Sequence, residues 1–254
     1  MLEVKNLSAG YPGKPVLQNL NLNIPEGKVT VILGPNGCGK STLLKAVCGI
    51  LPADSGKVEL AGEDLLALPP RMQARKVAYL AQSRQVPDIT AHRLVLHGRF
   101  PHLGYPRHYR KEDYAIVQTA MERMGVWEYA ETLMENLSGG QRQKVYIAMA
   151  LAQNTPVILL DEPATYLDIS HQLQLMELAR SLAGQGKTVL MIIHDLPHAF
   201  QMADKLILMN DGAVVAEGFP EELYASGKVD EVFHVRLGRT ETENGWRYYC
   251  EGNL

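Results

Sequence analysis

The sequence predicts an α/β fold, in which short buried strands alternate with helices. Residues 28–33, 157–161 and 188–193 are short, largely apolar stretches rich in valine, isoleucine and leucine. Each is followed by a helical pattern, and we expect these helices at residues 40–50, 170–183 and 196–203. Alternation of this kind is typical of an α/β domain.

The region before residue 82 contains more β structure than a simple strand–helix repeat needs. Further short strands are predicted at residues 2–7, 58–60 and 77–81. We therefore expect an N-terminal antiparallel β subdomain beside the α/β core.

The middle of the chain changes to a helical pattern. Helices are predicted at residues 91–97, 111–124 and 140–153, with no convincing strand among them. We interpret residues 1–254 as a single domain with an inserted α-helical subdomain at about residues 87–154. Further on, Asn210-Asp211-Gly212 lies between two apolar stretches and predicts a β-hairpin.

Composition narrows the class of protein. The chain has 254 residues, of which 46% are hydrophobic, and its formal net charge is −3. Proteins that bind nucleic acid usually carry a surplus of basic residues, and this chain has none, so no nucleic-acid partner is expected. The longest apolar stretches are too short to cross a bilayer, and the N-terminus lacks the pattern of a signal peptide. We therefore expect a cytosolic chain, although its partners could lie in the membrane.

A glycine-rich turn between a predicted strand and a predicted helix matches the P-loop pattern. Glycines allow successive N–H groups to converge on an anion, and the helix N-terminus adds a favourable potential. Lys40 is expected to reach the β- and γ-phosphates of ATP, and the Ser41 hydroxyl to bind Mg²⁺. The expected ATP-binding loop is Gly34-Pro35-Asn36-Gly37-Cys38-Gly39-Lys40-Ser41-Thr42. The alternative is a glycine turn with a capping serine.

Two carboxylates end the predicted strand at residues 157–161. Asp161 would orient Mg²⁺, and Glu162 could accept a proton from an attacking water molecule. Read without the P-loop, the two side chains are equally well explained as solvated charges at a strand terminus.

A second phosphate-holding segment follows the P-loop much later in the chain. It reads Leu137-Ser138-Gly139-Gly140-Gln141 and opens a predicted helix. One bound nucleotide needs only one P-loop, so the chain contains two half-sites that a second copy would complete. This segment resembles the signature of ABC-type ATPases, and the resemblance covers essentially the whole chain.

That resemblance implies a P-loop NTPase (RecA-like) core and roles for several further residues. Gln82 corresponds to the glutamine that contacts Mg²⁺ and water, and His194 to the histidine that contacts the γ-phosphate. Asp168 corresponds to the loop that crosses the dimer interface, and Tyr11 to the aromatic residue that stacks on adenine. Each has an ordinary alternative, such as Tyr11 covering a strand edge or His194 being a hydrogen-bonded residue at a strand end.

The same resemblance implies how the two half-sites combine. Ser138, Gly139, Gly140 and Gln141 would bind the γ-phosphate of an ATP held by the opposite protomer of a homodimer. ATP would close the dimer and hydrolysis would open it again, so an isolated subunit should hydrolyse ATP poorly.

Two segments are similar to one subgroup, the importers of iron–siderophore complexes, haem and cobalamin. They are residues 98–102 with 110–113, and residues 168–172. In that subgroup the ATPase homodimer lies at the cytoplasmic face of the membrane under two permease subunits, supplied by an external binding protein. Ala164, Pro197 and Lys144 depart from the usual pattern without removing a catalytic group.

Other functions stay open at this point. The chain could belong to another importer or to an exporter. It could also be a soluble ABC ATPase acting on ribosomes or DNA, or a nucleotide-binding regulator without turnover. The short C-terminal stretch suggests no extra regulatory domain.

Overall fold

The structure is a computed structural model that describes residues 1–82, 84–243 and 245–252. It contains two larger sheets and a terminal hairpin, which are connected by helices. In chain order the strands are β1 (Leu2–Tyr11), β2 (Lys14–Ile24), β3 (Val29–Leu33), β4 (Ala53–Leu60), β5 (Glu63–Asp64), β6 (Val77–Leu80), β7 (Val157–Asp161), β8 (Thr188–Ile192), β9 (Lys205–Asn210), β10 (Ala213–Gly218), β11 (Val235–Thr242) and β12 (Gly245–Gly252). The helices are α1 (Lys40–Val47), α2 (Pro70–Lys76), α3 (Ala91–His97), α4 (Lys111–Arg123), α5 (Gly139–Ala152), α6 (Ile169–Gly184), α7 (Leu196–Met202), α8 (Pro220–Ala225) and α9 (Lys228–Phe233).

The central sheet has six strands in the order β10-β9-β3-β8-β7-β6. Pairing is parallel from β9 to β6, and β10 joins antiparallel through the predicted hairpin. Every residue of β3, β7 and β8 is buried, because both faces of the sheet are covered. The predicted α/β fold is confirmed.

A second, antiparallel sheet has the order β2-β1-β4-β5. Its apolar side chains, among them Leu7 and Leu22, belong to the same hydrophobic cluster as Leu44 of α1 and Ile207 of β9. This sheet covers one face of the central sheet, so the expected N-terminal antiparallel unit is present.

The other face of the central sheet carries the long connection between β6 and β7. The described part of that connection holds α3, α4 and α5 with short 3₁₀ turns, and its one β contact is the isolated bridge between Thr90 and Leu133. Val95, Met121 and Val145, one from each helix, share a core with Leu160 of β7. Whether residues 87–154 form a separate subdomain stays a prediction.

Several elements have no counterpart in the sequence-based prediction. Strand β2 was missed, because a register shift between the pairs Leu7–Leu20 and Ala9–Leu17 interrupts the alternation of its apolar residues. Helices α2, α8 and α9 and the hairpin β11–β12 were missed as well. Helix α1 ends at Val47, shortly before Gly49 takes up a positive φ of 71°. In the part of the chain that the structure describes, no helix has the length and apolarity needed to span a bilayer.

Candidate functional site

The glycine-rich loop joins the end of β3 to the start of α1. Gly34, Gly37 and Gly39 have φ values of 152°, 82° and 103°, a conformation that residues with a side chain rarely adopt. A Cβ at Gly34 would lie 2.3 Å from the carbonyl oxygen of Met209, so this position also requires a close approach between two backbone segments. The loop therefore curls around the N-terminus of α1, where its amides can converge.

Lys40, the first residue of α1, is held by the loop itself. Its Nζ donates to the carbonyl oxygens of Gly34 at 2.7 Å and Pro35 at 2.8 Å. Thr42 and the Cys38 side chain are buried beside it, and burial raises the pKa of the Cys38 thiol. Binding a phosphate at Lys40 would replace these carbonyl contacts with an anionic partner.

Asp161 ends β7 and is almost completely buried. Its Oδ1 accepts a hydrogen bond from the Ser41 hydroxyl at 3.0 Å, and its Oδ2 accepts one from the Tyr79 hydroxyl at 3.1 Å. Burial raises the pKa of Asp161, and the hydrogen bonds from Ser41 and Tyr79 oppose that shift. Ser41 and Asp161 are thus adjacent hard oxygen ligands of the kind Mg²⁺ prefers. Tyr79 was not predicted, because nothing in its local sequence marks a contact with β7.

Glu162 follows Asp161 and is held on both carboxylate oxygens. Gln82 Nε2 donates to Oε2 at 2.5 Å, and His194 Nε2 lies 2.5 Å from Oε1. The backbone of Glu162 has a φ of 50°, in the left-handed region that glutamate seldom occupies. This turn directs the side chain away from that of Asp161 and towards the open cleft.

The predicted P-loop residues meet Gln82, Glu162 and His194 in one cleft of about 670 Å³, which Tyr11 borders on one side. Gly34, Pro35 and Cys38 shape the loop without lining the cleft. The other predicted residues that line it are Asn36, Gly37, Gly39, Lys40, Ser41, Thr42, Gln82, Glu162 and His194.

The cleft has two walls that sequence reasoning missed. One is the start of β2, at Lys14, Pro15 and Val16. The other is the turn Asp211-Gly212, where the Gly212 amide donates to the Cys38 carbonyl at 2.9 Å. The turn was predicted as a hairpin, and only its docking on the loop was not foreseeable.

The second predicted phosphate-holding segment begins α5. Ser138 is the N-cap: its Oγ accepts from the Gln141 amide at 3.2 Å, while the Ser138 amide donates to Gln141 Oε1 at 2.8 Å. These reciprocal bonds fix the first turn of the helix and leave the amides of Gly139 and Gly140 at its positive end.

This second segment does not face the P-loop cleft. Ser138, Gly140 and Gln141 line a separate cavity of about 490 Å³, together with Asp168. Asp168 caps α6 and accepts from the His171 amide at 2.9 Å and the Ser170 hydroxyl at 2.8 Å. These bonds lower the pKa of Asp168 to about 2. The structure therefore brings Asp168 and the second segment together, away from Lys40.

Comparison with known sequences gives consistent matches. A family model described as "ABC transporter" matches residues 17–165. The chain is 43% identical over 236 residues to the iron(3+)-hydroxamate import ATP-binding protein FhuC of Bacillus subtilis, covering 92% of this chain and 88% of that protein. It is 41% identical over 237 residues to the ferric enterobactin transport ATP-binding protein FepC of Escherichia coli, with the same coverage.

Solved structures show the same architecture. An ABC transporter in an inward-facing conformation superposes with a TM-score of 0.84 at 28% identity, over 100% of this chain and 97% of that one. A dimeric bacterial ABC transporter cassette superposes with a TM-score of 0.78 at 30% identity, over 87% of this chain and 99% of that one.

Proposed function

The chain belongs to the ABC transporter family, and on that premise we propose that it is the ATP-hydrolysing subunit of an importer for iron chelates. ABC ATP-binding proteins of this kind bind and hydrolyse ATP, dimerise and work with membrane permeases. The cargo, the roles of individual residues and the external binding protein are parts of the proposal.

One observation carries the proposed arrangement: the two phosphate-holding segments lie in separate cavities of the same chain. Lys40 and Ser138 of one protomer therefore serve different ATP molecules. A two-fold axis relating two copies would place the Ser138 segment of each against the P-loop cleft of the other. Two ATP molecules then lie between the protomers and hold them together.

Within each cleft the residues divide the chemistry. Lys40 and the loop amides hold the β- and γ-phosphates, and Tyr11 stacks on adenine. Ser41, Asp161 and Gln82 fit a Mg²⁺ ion, which when bound would neutralise charge on the phosphate oxygens. Glu162 accepts the proton of the attacking water molecule, and His194 contacts the γ-phosphate while keeping Glu162 in place.

The cargo assignment has two supports. The relatives described above are named for the import of iron(3+)-hydroxamate and ferric enterobactin. The second support is the resemblance of residues 98–102 and 168–172 to the subgroup. Haem and cobalamin are the alternative cargoes of the subgroup.

The proposed assembly is a homodimer at the cytoplasmic face of the membrane. Two permease subunits lie above it, and an external binding protein delivers the cargo without touching this chain. No nucleic-acid partner is proposed. Transport is then coupled to closing of the dimer around ATP and its opening after hydrolysis.

The assignment of Glu162 is tested with Glu162→Gln. This variant keeps the hydrogen-bonding shape but lacks the basic carboxylate, so ATP turnover should fall by about a hundredfold or more while the ATP-bound dimer accumulates. Phosphate release and size-exclusion chromatography with ATP measure both effects. Glu177→Gln, an exposed position on α6, is the matched control. Normal hydrolysis by Glu162→Gln would show that another group is the base.

The cargo is tested separately by purifying the intact complex from membranes and identifying the permease and bound ligand that accompany it. Iron-chelate uptake should be lost in cells without this protein. Unchanged uptake would overturn the cargo assignment and leave the ATPase assignment intact.

A further inference from the structure

A buried glutamine on α5, Gln143, connects two segments of the proposed catalytic site. Its Nε2 donates to the carbonyl oxygen of Pro163 at 2.7 Å, and its Oε1 accepts from Arg84 Nη2 at 2.9 Å. Only 4% of the residue is exposed. Both ends of the amide are therefore engaged in protein contacts, which fixes its orientation.

The contact with Pro163 acts on the turn that aims Glu162. Pro163 is the next residue after Glu162, whose backbone has the unusual φ of 50°. A backbone held in a sparsely populated region persists only where its surroundings impose it. The hydrogen bond from Gln143 is one such restraint, because it fixes the carbonyl of Pro163, one peptide beyond the one that follows the strained residue.

The contact with Arg84 acts on the segment that follows Gln82. The Arg84 guanidinium lies over the Tyr146 ring, 4.2 Å from its centroid, and the Tyr146 hydroxyl donates to the Gln85 carbonyl at 2.9 Å. Residues 84 and 85 are therefore tied to α5 by three contacts. Gln82, just before them, donates to Glu162.

These contacts form a closed circuit around the proposed base. Gln82 donates to Glu162, and the next residue, Pro163, accepts from Gln143. Gln143 in turn accepts from Arg84, which lies two residues after Gln82 in the chain. Helix α5 carries Gln143 five residues after its N-cap, Ser138. The helix that holds the ATP of the partner protomer is thus also the helix that restrains the base acting on this protomer's own ATP.

We propose that Gln143 is a positioning residue for Glu162, and that through α5 it links engagement of one ATP by Ser138 to hydrolysis of the other. Arg84 keeps the Gln82 segment in register with the same helix. The proposal rests on the proposed function, since it takes Glu162 as the base. Gln143 itself contacts neither ATP nor water in this scheme.

The test uses Gln143→Glu in the full chain. The new carboxylate still accepts from Arg84, but it has no N–H for Pro163 and repels that carbonyl. We expect kcat for ATP to fall about tenfold, the effect of losing one well-placed hydrogen bond. KM and the affinity measured by fluorescent-nucleotide titration should change by less than about twofold, since no ATP contact is removed.

Gln153→Glu is the matched control. Gln153 is the C-cap of the same helix and donates to the backbone carbonyls of Ala74 and Val77, at the opposite end of β6 from Gln82. Its variant should lower Tm while leaving kcat near the wild-type value. If the two variants lower kcat equally, Gln143 is merely structural and the proposal is wrong. If Gln143→Glu does not fold, Gln143→Leu and Gln153→Leu provide the same comparison.

Arg84→Met and the double variant with Gln143→Glu complete a cycle. The Arg84 variant alone should reduce kcat less, because the bond to Pro163 remains, and the double variant should match Gln143→Glu rather than show an additive loss. Additive losses would overturn the circuit. Glu162→Gln in the same assay distinguishes failure of the proposed function from failure of the positioning proposal. If Glu162→Gln hydrolyses ATP normally, the proposed base is wrong. If Glu162→Gln is inactive but Gln143→Glu has normal activity, only the positioning role is refuted.

Discussion

The buried ion pair between Arg99 and Asp113 gives a prediction about the segment that resembles the importer subgroup. Arg99 Nε donates to Asp113 Oδ1 at 2.9 Å, and each side chain is only 9% exposed. Arg99 Nη1 also donates to the Ala152 carbonyl at 2.9 Å, and Asp113 Oδ2 accepts from the Arg110 amide at 2.9 Å. The pair therefore joins the end of α3, the start of α4 and the end of α5.

Arg99→Met removes one charge and leaves the other buried. The Asp113 carboxylate then loses its partner on Oδ1, and the Ala152 carbonyl loses its donor. Removing one member of a buried ion pair typically costs about 3–5 kcal/mol, because an uncompensated charge remains. We expect a decrease of that size in the free energy of unfolding, measured by urea titration with far-ultraviolet circular dichroism.

A second variant tests the cause of that loss. Arg99→Met combined with Asp113→Asn removes both charges and keeps an oxygen for the Arg110 amide, so it should be only about 1–2 kcal/mol less stable than wild type. Lys228→Met, which breaks the exposed pair with Glu231, is the control and should cost less than about 1 kcal/mol. A loss below about 1 kcal/mol in Arg99→Met, or a double variant as unstable as the single one, would refute the reasoning.

Two further predictions concern the dimer and the cap of α6. Ser138→Ala, placed in the Glu162→Gln background, should weaken the ATP-bound dimer because it removes both the cap of α5 and the proposed contact to the partner's ATP. Analytical ultracentrifugation measures this, and an unchanged dimer would contradict the role proposed for Ser138. Hydrogen bonds from His171 and Ser170 lower the pKa of Asp168 to about 2. The stabilisation by its carboxylate should therefore be complete above the usual aspartate pKa and disappear as the pH falls through about 2. An NMR titration of the carboxyl group checks this, and the difference in unfolding free energy between wild type and Asp168→Ala should become smaller over the same pH range.

The segment containing Arg99 shows what sequence reasoning can and cannot supply. The pattern at residues 98–102 indicated a subgroup, but not what its residues do. In the structure, a Cβ at Gly98 would lie 2.4 Å from the Met149 carbonyl, so only glycine allows α3 to end so close to α5. His102 bonds to the Gln153 carbonyl at 2.8 Å. The segment therefore connects α3 to α4 and α5. Its partners lie so far away in the sequence that these contacts could not be predicted from it.

The fold followed the sequence wherever a strand was uniformly apolar. The predicted bounds of β7 and α3 agree with the structure, and β3 and β8 differ from it by one residue. Strand β2 and the hairpin β11–β12 escaped because exposed or bulged strands lack a clean period of two. The burial of a uniformly apolar strand can be predicted from its own residues. An edge strand forms by pairing with a neighbour, and the local sequence does not show which segment that is.

The cleft could be predicted for a related reason. Gly34, Gln82, Glu162 and His194 each follow the carboxyl end of a strand, namely β3, β6, β7 and β8. These strands are parallel and lie in one sheet, so residues after their carboxyl ends share an edge. Tyr79, Arg84 and Gln143 reach the site through side chains that cross between elements, and no spacing in the sequence announces such contacts.

The separation of Lys40 from Ser138 bears on whether one chain or a pair of chains forms the catalytic unit. In one protomer the P-loop cleft contains Lys40 and the proposed base, Glu162, but lacks the Ser138 segment, which lines another cavity. In the proposed dimer each ATP therefore contacts residues from two copies, and the catalytic unit is the interface. Ser138 caps α5 and Gln143 lies on it, so under the proposed roles a movement of that helix would alter both the contact with one ATP and the position of the base at the other. Hydrolysis at the two sites should for this reason be cooperative, with a Hill coefficient above one for wild type that approaches one in Gln143→Glu.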